Sequence, residues 1–271
     1  MAGYVENQAA PALTILDLVA MKLAAEKISC LTAYDASFSQ LIDQAGVDVM
    51  LVGDSLGMVI QGKETTVPVS VDDMVYHTQC VVNARKRAFV IADLPFLSYG
   101  TTELAMKNTA KLMQQAGAQM VKLEGAHLQI IEFLVGFGVP VCGHLGLLPQ
   151  SINQLGKYKV QGKSVQDAEK IAEDAMKVEQ AGASLLILEC VPAVLAEKIA
   201  KKLSIPVIGI GAGLGCDGQV LVLYDMLGIS LGKRPRFSQN FMQTAGDIPG
   251  AIQQYHHAVK NLDFPAPQHS Y

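Results

Sequence analysis

Leu51-Val-Gly-Asp-Ser-Leu-Gly57 is the end of an apolar strand that stops on a carboxylate, a hydroxyl and two glycines. Because Asp is a common turn former, Asp54 taken alone is either a turn-capping residue or a ligand for a metal ion or a substrate. Similar strand ends recur down the chain, each finishing on a polar group. This repetition favours the ligand interpretation and gives the first indication of the fold.

Short apolar segments alternate with amphipathic ones along most of the chain. Seven are predicted as strands: residues 28–33, 47–52, 89–92, 119–123, 139–143, 184–188 and 206–210. Their apolar residues do not alternate with polar ones, which indicates burial on both faces and a parallel sheet covered by helices. With residues 220–224 as an eighth strand, residues 1–271 are predicted to form a single α/β domain, a (β/α)8 TIM barrel. A doubly wound open sheet has nearly the same pattern and is the structural alternative.

Three further segments stand outside the regular repeat. A short amphipathic helix over residues 14–22 is predicted before the barrel, and a helical tail around residues 248–259 after it. Residues 145–164 form a connection far longer than the usual βα loop. Such a connection is typical of a lid or a binding loop.

The amino-acid composition indicates which binding partners and which cellular compartment to expect for this protein. The net charge is −4 and the longest basic run is Arg85-Lys-Arg87, so nothing in the charge pattern favours nucleic acid or an anionic membrane. The five cysteines are widely spaced within mostly apolar stretches, unlike a disulfide framework or a zinc site. Residues 1–7 lack the pattern of a secretory signal, and no stretch is suited to span a bilayer. We therefore expect a cytoplasmic protein.

The polar strand ends carry the candidate chemistry. They are Asp54, Ser55, Asp93, Lys122, Glu124, His144 and Glu189. In an α/β barrel these residues fall on the carboxyl-terminal rim, where active sites lie. Asp54, Asp93 and Glu124 would then face one another and repel, unless a proton or a cation intervenes. Oxygen ligands with room for water favour Mg2+ over zinc, whereas each carboxylate alone could be a helix cap or a salt-bridge partner.

Three further side chains of this set each have a structural alternative. Lys122 could form an ion pair with Glu124 or supply a fixed positive charge for a substrate carboxylate. His144 could be a satisfied core histidine, or a hydrogen-bond donor or proton carrier at the site. Glu189 follows an apolar run that suits it to general acid/base work, although a capped structural Glu is also open.

The segments around these residues resemble the ketopantoate hydroxymethyltransferase family nearly from end to end. They include Val52-Gly-Asp-Ser-Leu-Gly-Met58, Ala92-Asp-Leu-Pro-Phe96, Val121-Lys-Leu-Glu-Gly125, Gly143-His-Leu-Gly-Leu147 and Pro149-Gln-Ser-Ile-Asn153. The resemblance implies a (β/α)8 barrel with Mg2+ held by Asp54, Asp93 and Glu124. It implies a 2-oxo acid bound at the metal ligands Asp54 and Asp93 and contacted by Ser55 and Lys122, with Glu189 as the proton acceptor.

The resemblance also implies the substrates and the assembly. It implies 5,10-methylenetetrahydrofolate as one-carbon donor, 3-methyl-2-oxobutanoate as acceptor, ketopantoate as product of a step in pantothenate synthesis, and a large homo-oligomer, in several members a decamer. Mg2+ would stabilise the enolate of the oxo acid, Glu189 would be the base, and His144 would steady the developing charge or relay the proton. A Mg2+-dependent carbon–carbon lyase or mutase of the phosphoenolpyruvate/isocitrate lyase type is the alternative enzyme, and a metal-binding barrel without turnover is the alternative outside catalysis.

Overall fold

The computed structural model describes residues 11–271, in which eight parallel strands close into a barrel in sequence order. The strands are β1 (Ile28–Thr32), β2 (Val49–Val52), β3 (Phe89–Asp93), β4 (Met120–Glu124), β5 (Val141–Gly146), β6 (Leu185–Glu189), β7 (Val207–Ile210) and β8 (Gly218–Leu221). Each strand pairs with the next and β8 pairs with β1. The closed ring confirms the predicted barrel and excludes the doubly wound open sheet.

Twelve α-helices occur in the described residues. They are α1 (Ile15–Leu23), α2 (Ala36–Gln44), α3 (Leu56–Val59), α4 (Val71–Ala84), α5 (Thr102–Ala110), α6 (Leu128–Gly136), α7 (Ile152–Leu155), α8 (Val165–Gln180), α9 (Ala193–Lys202), α10 (Leu223–Leu227), α11 (Met242–Ala245) and α12 (Ile248–Lys260). A π-helical turn, Lys111–Gln115, continues α5, and short 3-10 turns lie at Pro149–Ser151 and Pro267–His269. The predicted first helix and the helical tail correspond to α1 and α12.

Side-chain caps fix where the longer helices begin. An Asp, Ser or Thr before each of six helices accepts a hydrogen bond from a backbone N–H of the first turn; these residues are Thr14, Asp35, Ser70, Thr101, Ser164 and Asp247. Such a cap satisfies a backbone donor that has no partner inside the helix. This is why the starts predicted from sequence agree with the observed ones to within about one residue.

Helix α1 covers the amino-terminal end of the barrel. Lys22 forms an ion pair with Asp217, the residue before β8, with Nζ 2.6 Å from Oδ2. Gln119, the residue before β4, donates to the carbonyl of Leu13, and Leu18 of α1 is completely buried. Because these contacts are made before strands begin, α1 lies opposite the rim where the strands end. The predicted packing of this helix on the barrel is confirmed.

The connection between β7 and β8 departs from the regular repeat. Residues 211–217, all of them described, form no helix, although a crossover between parallel strands usually needs a dozen or more residues. Strand β8 is Gly218–Leu221, and α10 begins at Leu223. The predicted eighth strand over residues 220–224 was therefore placed too late, because its last residues belong to the helical turn.

The strand polarity brings the carboxyl ends of all eight strands to one rim.

The connection predicted over residues 145–164 is shorter than expected, because β5 continues to Gly146 and helix α7 lies within the connection. Among residues 11–271, no helix combines the length and the apolar character needed to cross a membrane. The expectation about a secretory signal falls on residues 1–7, which lie outside the described residues.

Candidate active site

One cavity opens at the carboxyl-terminal rim, with a volume of about 850 Å³. All seven residues predicted from the sequence line it: Asp54, Ser55, Asp93, Lys122, Glu124, His144 and Glu189. Asp93, Glu124 and Glu189 are the last residues of β3, β4 and β6, and Asp54 follows β2 by two residues. The barrel therefore brings together residues that are separated by 135 positions in sequence, from 54 to 189.

The three carboxylates of Asp54, Asp93 and Glu124 lie at the ends of the neighbouring strands β2, β3 and β4 and are buried. The backbone N–H of Asp54 donates to Asp93 Oδ2 over 3.0 Å. Burial, and then the charges of Asp93 and Glu124, raises the pKa of the Asp54 carboxyl well above its usual value. A proton on Asp54 or a cation beside it would relieve this repulsion.

The donor set fits Mg2+ held partly by water and substrate. No three His, Cys, Asp or Glu side chains in residues 11–271 are arranged to hold a metal ion by themselves. Mg2+ characteristically binds one or two carboxylates and fills the rest of its octahedron with water and substrate oxygens. Asp54, Asp93 and Glu124 supply only oxygen atoms, so they suit this ion and would form one side of its coordination shell.

Lys122 is a buried cation beside Asp54, Asp93 and Glu124, which together form the acidic group of the site. Its Nζ lies 2.6 Å from Asp93 Oδ1, and the two residues are paired in register on β3 and β4. The structural alternative for Lys122, an ion pair with Glu124, is not what the structure shows, because the register places Asp93 beside the ammonium. Burial opposes the charge, but Asp93, Glu124 and Asp54 together raise the pKa of Lys122 above its usual value. An ammonium has three N–H groups, so further donors face the cavity.

His144 lies between two carboxylates from different strands. Its Nδ1 is 3.5 Å from Glu124 Oε1, and its Nε2 is 3.3 Å from Glu189 Oε2. Neither contact has the geometry of a hydrogen bond, so the interaction is chiefly one of charge. Burial and the charge of Lys122 lower the pKa of His144, but the two carboxylates outweigh them and raise it to about 9. Its place at the site favours the proton carrier over the satisfied core histidine.

The raised pKa of His144 predicts a pH-dependent stability. A histidine whose pKa is raised from 6.5 to about 9 on folding stabilises the protein fully below pH 6.5 and loses that stabilisation as the pH rises to about 9. Without Mg2+, wild type is expected to lose roughly 2–3 kcal/mol of unfolding free energy relative to His144→Gln across this interval. Denaturant titrations in the presence of a chelator measure this difference at each pH. When both proteins also carry Glu189→Gln, the difference should change less with pH, because one of the two carboxylates that raise the pKa of His144 is gone. A difference that stays constant with pH would contradict the assignment.

Gln150 fastens the connection after β5 to the acidic group. Its side-chain Nε2 donates to Asp54 Oδ2 over 2.8 Å and to the carbonyl of Leu94 over 3.0 Å. Its backbone N–H donates to Glu124 Oε2 over 3.0 Å, and the hydroxyl of Tyr99 donates to its Oε1 over 2.6 Å. Sequence reasoning missed Gln150 and Tyr99. Gln150 lies in the segment Pro149-Gln-Ser-Ile-Asn153, which carries part of the family resemblance, but no role was assigned to it from the sequence.

Ser55 is held at the rim by a residue from another strand. Its Oγ lies 2.9 Å from the hydroxyl of Tyr34, which follows β1 and is almost completely buried. Burial raises the pKa of Tyr34 above its usual range, so this phenol stays protonated. The pair fixes the direction of the Ser55 hydroxyl beside Asp54. Tyr34 is a further residue that sequence reasoning did not identify.

Gly146 sets the position of Glu189 through a close backbone approach. It ends β5 with φ +95°, and a Cβ at this position would collide with the carbonyl oxygen of Glu189. The same carbonyl accepts a hydrogen bond from the N–H of Leu147 over 2.8 Å. The chain then leaves β6 through Cys190, a left-handed residue with φ +48°. Glu189 is therefore held on both sides by backbone.

Gly146→Ala is expected to lower the free energy of unfolding by about 3 kcal/mol, since a left-handed alanine costs about 1–2 kcal/mol and overpacking adds to it. Activity should fall with it, because Glu189 must move. Gly156→Ala is the matched control: Gly156 also has positive φ, at +71°, but a Cβ there meets nothing within 4 Å. Its cost should be only about 1 kcal/mol. Equal losses in urea denaturation would contradict the close-approach argument.

Fold and site together define a (β/α)8-barrel enzyme in which buried acidic and basic side chains converge on one cavity. The sequence profile of the ketopantoate hydroxymethyltransferase family matches residues 12–267. This chain belongs to the ketopantoate hydroxymethyltransferase family, and it is therefore a hydroxymethyltransferase.

Curated relatives match the chain over nearly its whole length. A 3-methyl-2-oxobutanoate hydroxymethyltransferase of Nitrosococcus oceani is 57% identical over 261 residues, with 96% of this chain and 99% of the relative covered. A 3-methyl-2-oxobutanoate hydroxymethyltransferase 1 of Burkholderia cenocepacia is 54% identical over 270 residues, with 99% of each covered. The resemblance inferred from the sequence motifs is confirmed.

Solved structures of other enzymes share the fold. Phosphoenolpyruvate phosphomutase from Streptomyces platensis subsp. rosaceus aligns with a TM-score of 0.61 and 12% identity, covering 80% of this chain and 83% of the other. Phosphonopyruvate hydrolase, in a complex with oxalate and Mg++, aligns with a TM-score of 0.59 and 11% identity, covering 77% and 80%. At this level of identity the likeness concerns the barrel alone.

Proposed function

We propose that this chain transfers a hydroxymethyl group from 5,10-methylenetetrahydrofolate to 3-methyl-2-oxobutanoate, giving ketopantoate for pantothenate and coenzyme A synthesis. The proposal rests chiefly on one observation: Glu189 and His144 lie in the same cavity as the Asp54, Asp93 and Glu124 carboxylates, with 3.3 Å between Glu189 Oε2 and His144 Nε2. The names of the relatives, at 54% and 57% identity, support the same substrate.

Each residue of the site has a task in this reaction. Asp54, Asp93 and Glu124 would hold Mg2+, which when bound acts as a Lewis acid that makes the C3 proton of the oxo acid easier to remove. Lys122 would bind the substrate carboxylate with the N–H groups that do not face Asp93. Ser55, oriented by Tyr34, would donate to a second substrate oxygen.

Glu189 would remove the C3 proton as general base, and C3 would then form a bond to the methylene carbon of the folate. The two C–N bonds that join this carbon to the folate would break, one as the carbon becomes electrophilic and the other as a water molecule supplies the hydroxyl, so that ketopantoate and tetrahydrofolate are released. His144, protonated near neutral pH, would stabilise the Glu189 carboxylate before the proton is transferred. After the transfer it would stabilise the developing negative charge or relay the proton. The connection after β5 would limit the access of water, since Leu147, Pro149 and Tyr158 form part of the cavity wall. Closure of this connection remains a prediction.

A Mg2+-dependent lyase or mutase has no comparable support. Cys190 lines the cavity, but burial raises the pKa of its thiol above the usual range, so it is not an activated nucleophile. The family membership favours the transferase, whereas the solved mutase and hydrolase barrels share only 12% and 11% identity with this chain. A metal-binding barrel without turnover would leave the Glu189–His144 contact without a role.

Product formation tests the proposed function directly. Purified protein, Mg2+, 3-methyl-2-oxobutanoate and methylenetetrahydrofolate labelled with ¹³C in the one-carbon unit should yield ketopantoate labelled at its hydroxymethyl carbon. A second ketopantoate hydroxymethyltransferase serves as the positive control. If that control forms labelled product and this chain does not, the proposal is wrong.

The cellular setting and assembly are part of the same proposal. A cytoplasmic location is supported by the five cysteines, all of which are free thiols. A homo-oligomer, with a decamer as the size suggested by the family, is supported by apolar side chains on the surface of α1, where Leu16 and Leu23 are 76% and 81% exposed. We expect neither nucleic acid nor a membrane as partner.

A further inference from the structure

The outer part of the cavity is basic, although its inner wall is acidic and the chain as a whole is acidic. Five cationic residues line it: Lys159, Lys163, Lys233, Arg234 and Arg236. The first two belong to the connection after β5 and the others to the segment after α10. Two loops that are 70 residues apart in sequence, 163 to 233, thus bring their charges to one opening.

These cations have no carboxylate partners of their own. In residues 11–271, none of the five is within 4.0 Å of an Asp or Glu oxygen. Asp225, a carboxyl of the cavity wall near Arg234, instead accepts a hydrogen bond from the hydroxyl of Ser230. Arg236 is held by the carbonyl of Gln268 and stacks on Tyr271. Lys159, Lys163, Lys233 and Arg234 are exposed and face the opening with their charges uncompensated.

The size of the cavity and the positive charge of its opening together indicate what kind of ligand these four residues bind. The cavity of about 850 Å³ is far larger than a five-carbon oxo acid needs and lies in the range of sites for much larger ligands. The three inner carboxylates disfavour a second anion beside the oxo acid, whereas the cations of the opening attract anions. In the proposed reaction the one-carbon unit of the folate must reach the oxo acid at the inner wall. The opposite end of the folate, which carries the glutamate carboxylates, then points outward.

We propose that Lys159, Lys163, Lys233 and Arg234 form a binding site for the glutamyl carboxylates of the folate, and that the protein prefers polyglutamylated over monoglutamylated tetrahydrofolate. This inference rests on the proposed function, because it takes the folate as the second substrate. Each added glutamate brings a carboxylate to a region that holds several cations within a Debye length of the opening. The gain should therefore grow with the number of glutamates and fall with salt.

Binding measurements without turnover test the proposal. Isothermal titration with tetrahydrofolate and with its pentaglutamate, in Mg2+ and 3-methyl-2-oxobutanoate, should give a dissociation constant roughly tenfold lower for the pentaglutamate at low salt, as expected for two or three exposed ion pairs. Lys233→Gln/Arg234→Gln should reduce the preference to roughly threefold or less, and adding Lys159→Gln/Lys163→Gln should abolish it. The affinity for the oxo acid should not change.

Lys198→Gln/Lys202→Gln on α9 is the matched control, because it removes two exposed charges away from the cavity. It should leave the preference intact. Equal affinity of wild type for the two folates, or a preference that survives the loss of all four cations, overturns the proposal. Labelled ketopantoate formed equally well from both folates by a protein without a binding preference would overturn this inference alone. A protein that binds the pentaglutamate through these residues but forms no ketopantoate would overturn only the proposed function.

Discussion

Glu189→Gln is expected to lower the rate of C3 proton exchange in 3-methyl-2-oxobutanoate by roughly a thousandfold, within the range typical for the loss of a general base. Gln is nearly the same size as Glu, so the contact of 3.3 Å with His144 Nε2 and the position beside the acidic group can be kept. The amide, however, cannot accept the proton. Binding of the oxo acid should therefore be largely retained.

Proton NMR in deuterated water measures this exchange without any folate, and it isolates the step assigned to Glu189. Glu173→Gln on α8 is the control, because Glu173 pairs with Lys177 at an exposed position. Its exchange rate should match wild type. If Glu189→Gln exchanged the proton as fast as the control, Glu189 would not be the base, and a barrel without turnover would again need consideration.

Asp54→Asn is expected to abolish Mg2+-dependent turnover while it makes the metal-free protein more stable. A carboxyl with a raised pKa in the folded state stabilises that state only at low pH, and this stabilisation is lost as the pH rises through the folded pKa. An Asn keeps the oxygen that accepts from Gln150 Nε2 and removes the charge. At neutral pH in a chelator, the free energy of unfolding should rise by about 1–2 kcal/mol, a gain often seen when a functional group is neutralised.

Asp93→Asn is the matched control with the opposite expected sign. It removes the counter-charge 2.6 Å from the buried ammonium of Lys122, and breaking such a pair costs about 3–5 kcal/mol. Both variants should lose Mg2+ binding in calorimetric titration. Equal destabilisation by the two substitutions would show that Asp54 carries no unrelieved repulsion in the metal-free protein.

The sequence predicted the barrel because its physical signature is local. A buried parallel strand requires a short apolar run, and a helix start requires a capping side chain, as at Ser70 and Ser164. The order of the polar strand ends was equally accessible. Since parallel strands end at one rim, the sequence alone predicts that Asp54, Asp93 and Glu189 lie at one site.

The features that sequence reasoning missed depend on distances between segments. Gln150 touches Asp54 although 96 positions separate them, and nothing in either local pattern predicts the contact. The partner of Lys122 depended on the register of β3 against β4, which composition does not determine. The eighth strand was placed too late because residues 220–224 continue an apolar run from the end of β8 into α10.

The most direct test is a crystal structure of the protein with Mg2+ and 3-methyl-2-oxobutanoate. The cation should lie among Asp54, Asp93 and Glu124, with carboxylate, water and substrate oxygens about 2.0–2.1 Å away. The oxo acid should contact Lys122 and present its C3 hydrogen to the Glu189 carboxylate. A cation bound elsewhere, or an oxo acid whose C3 faces away from Glu189, would contradict the account.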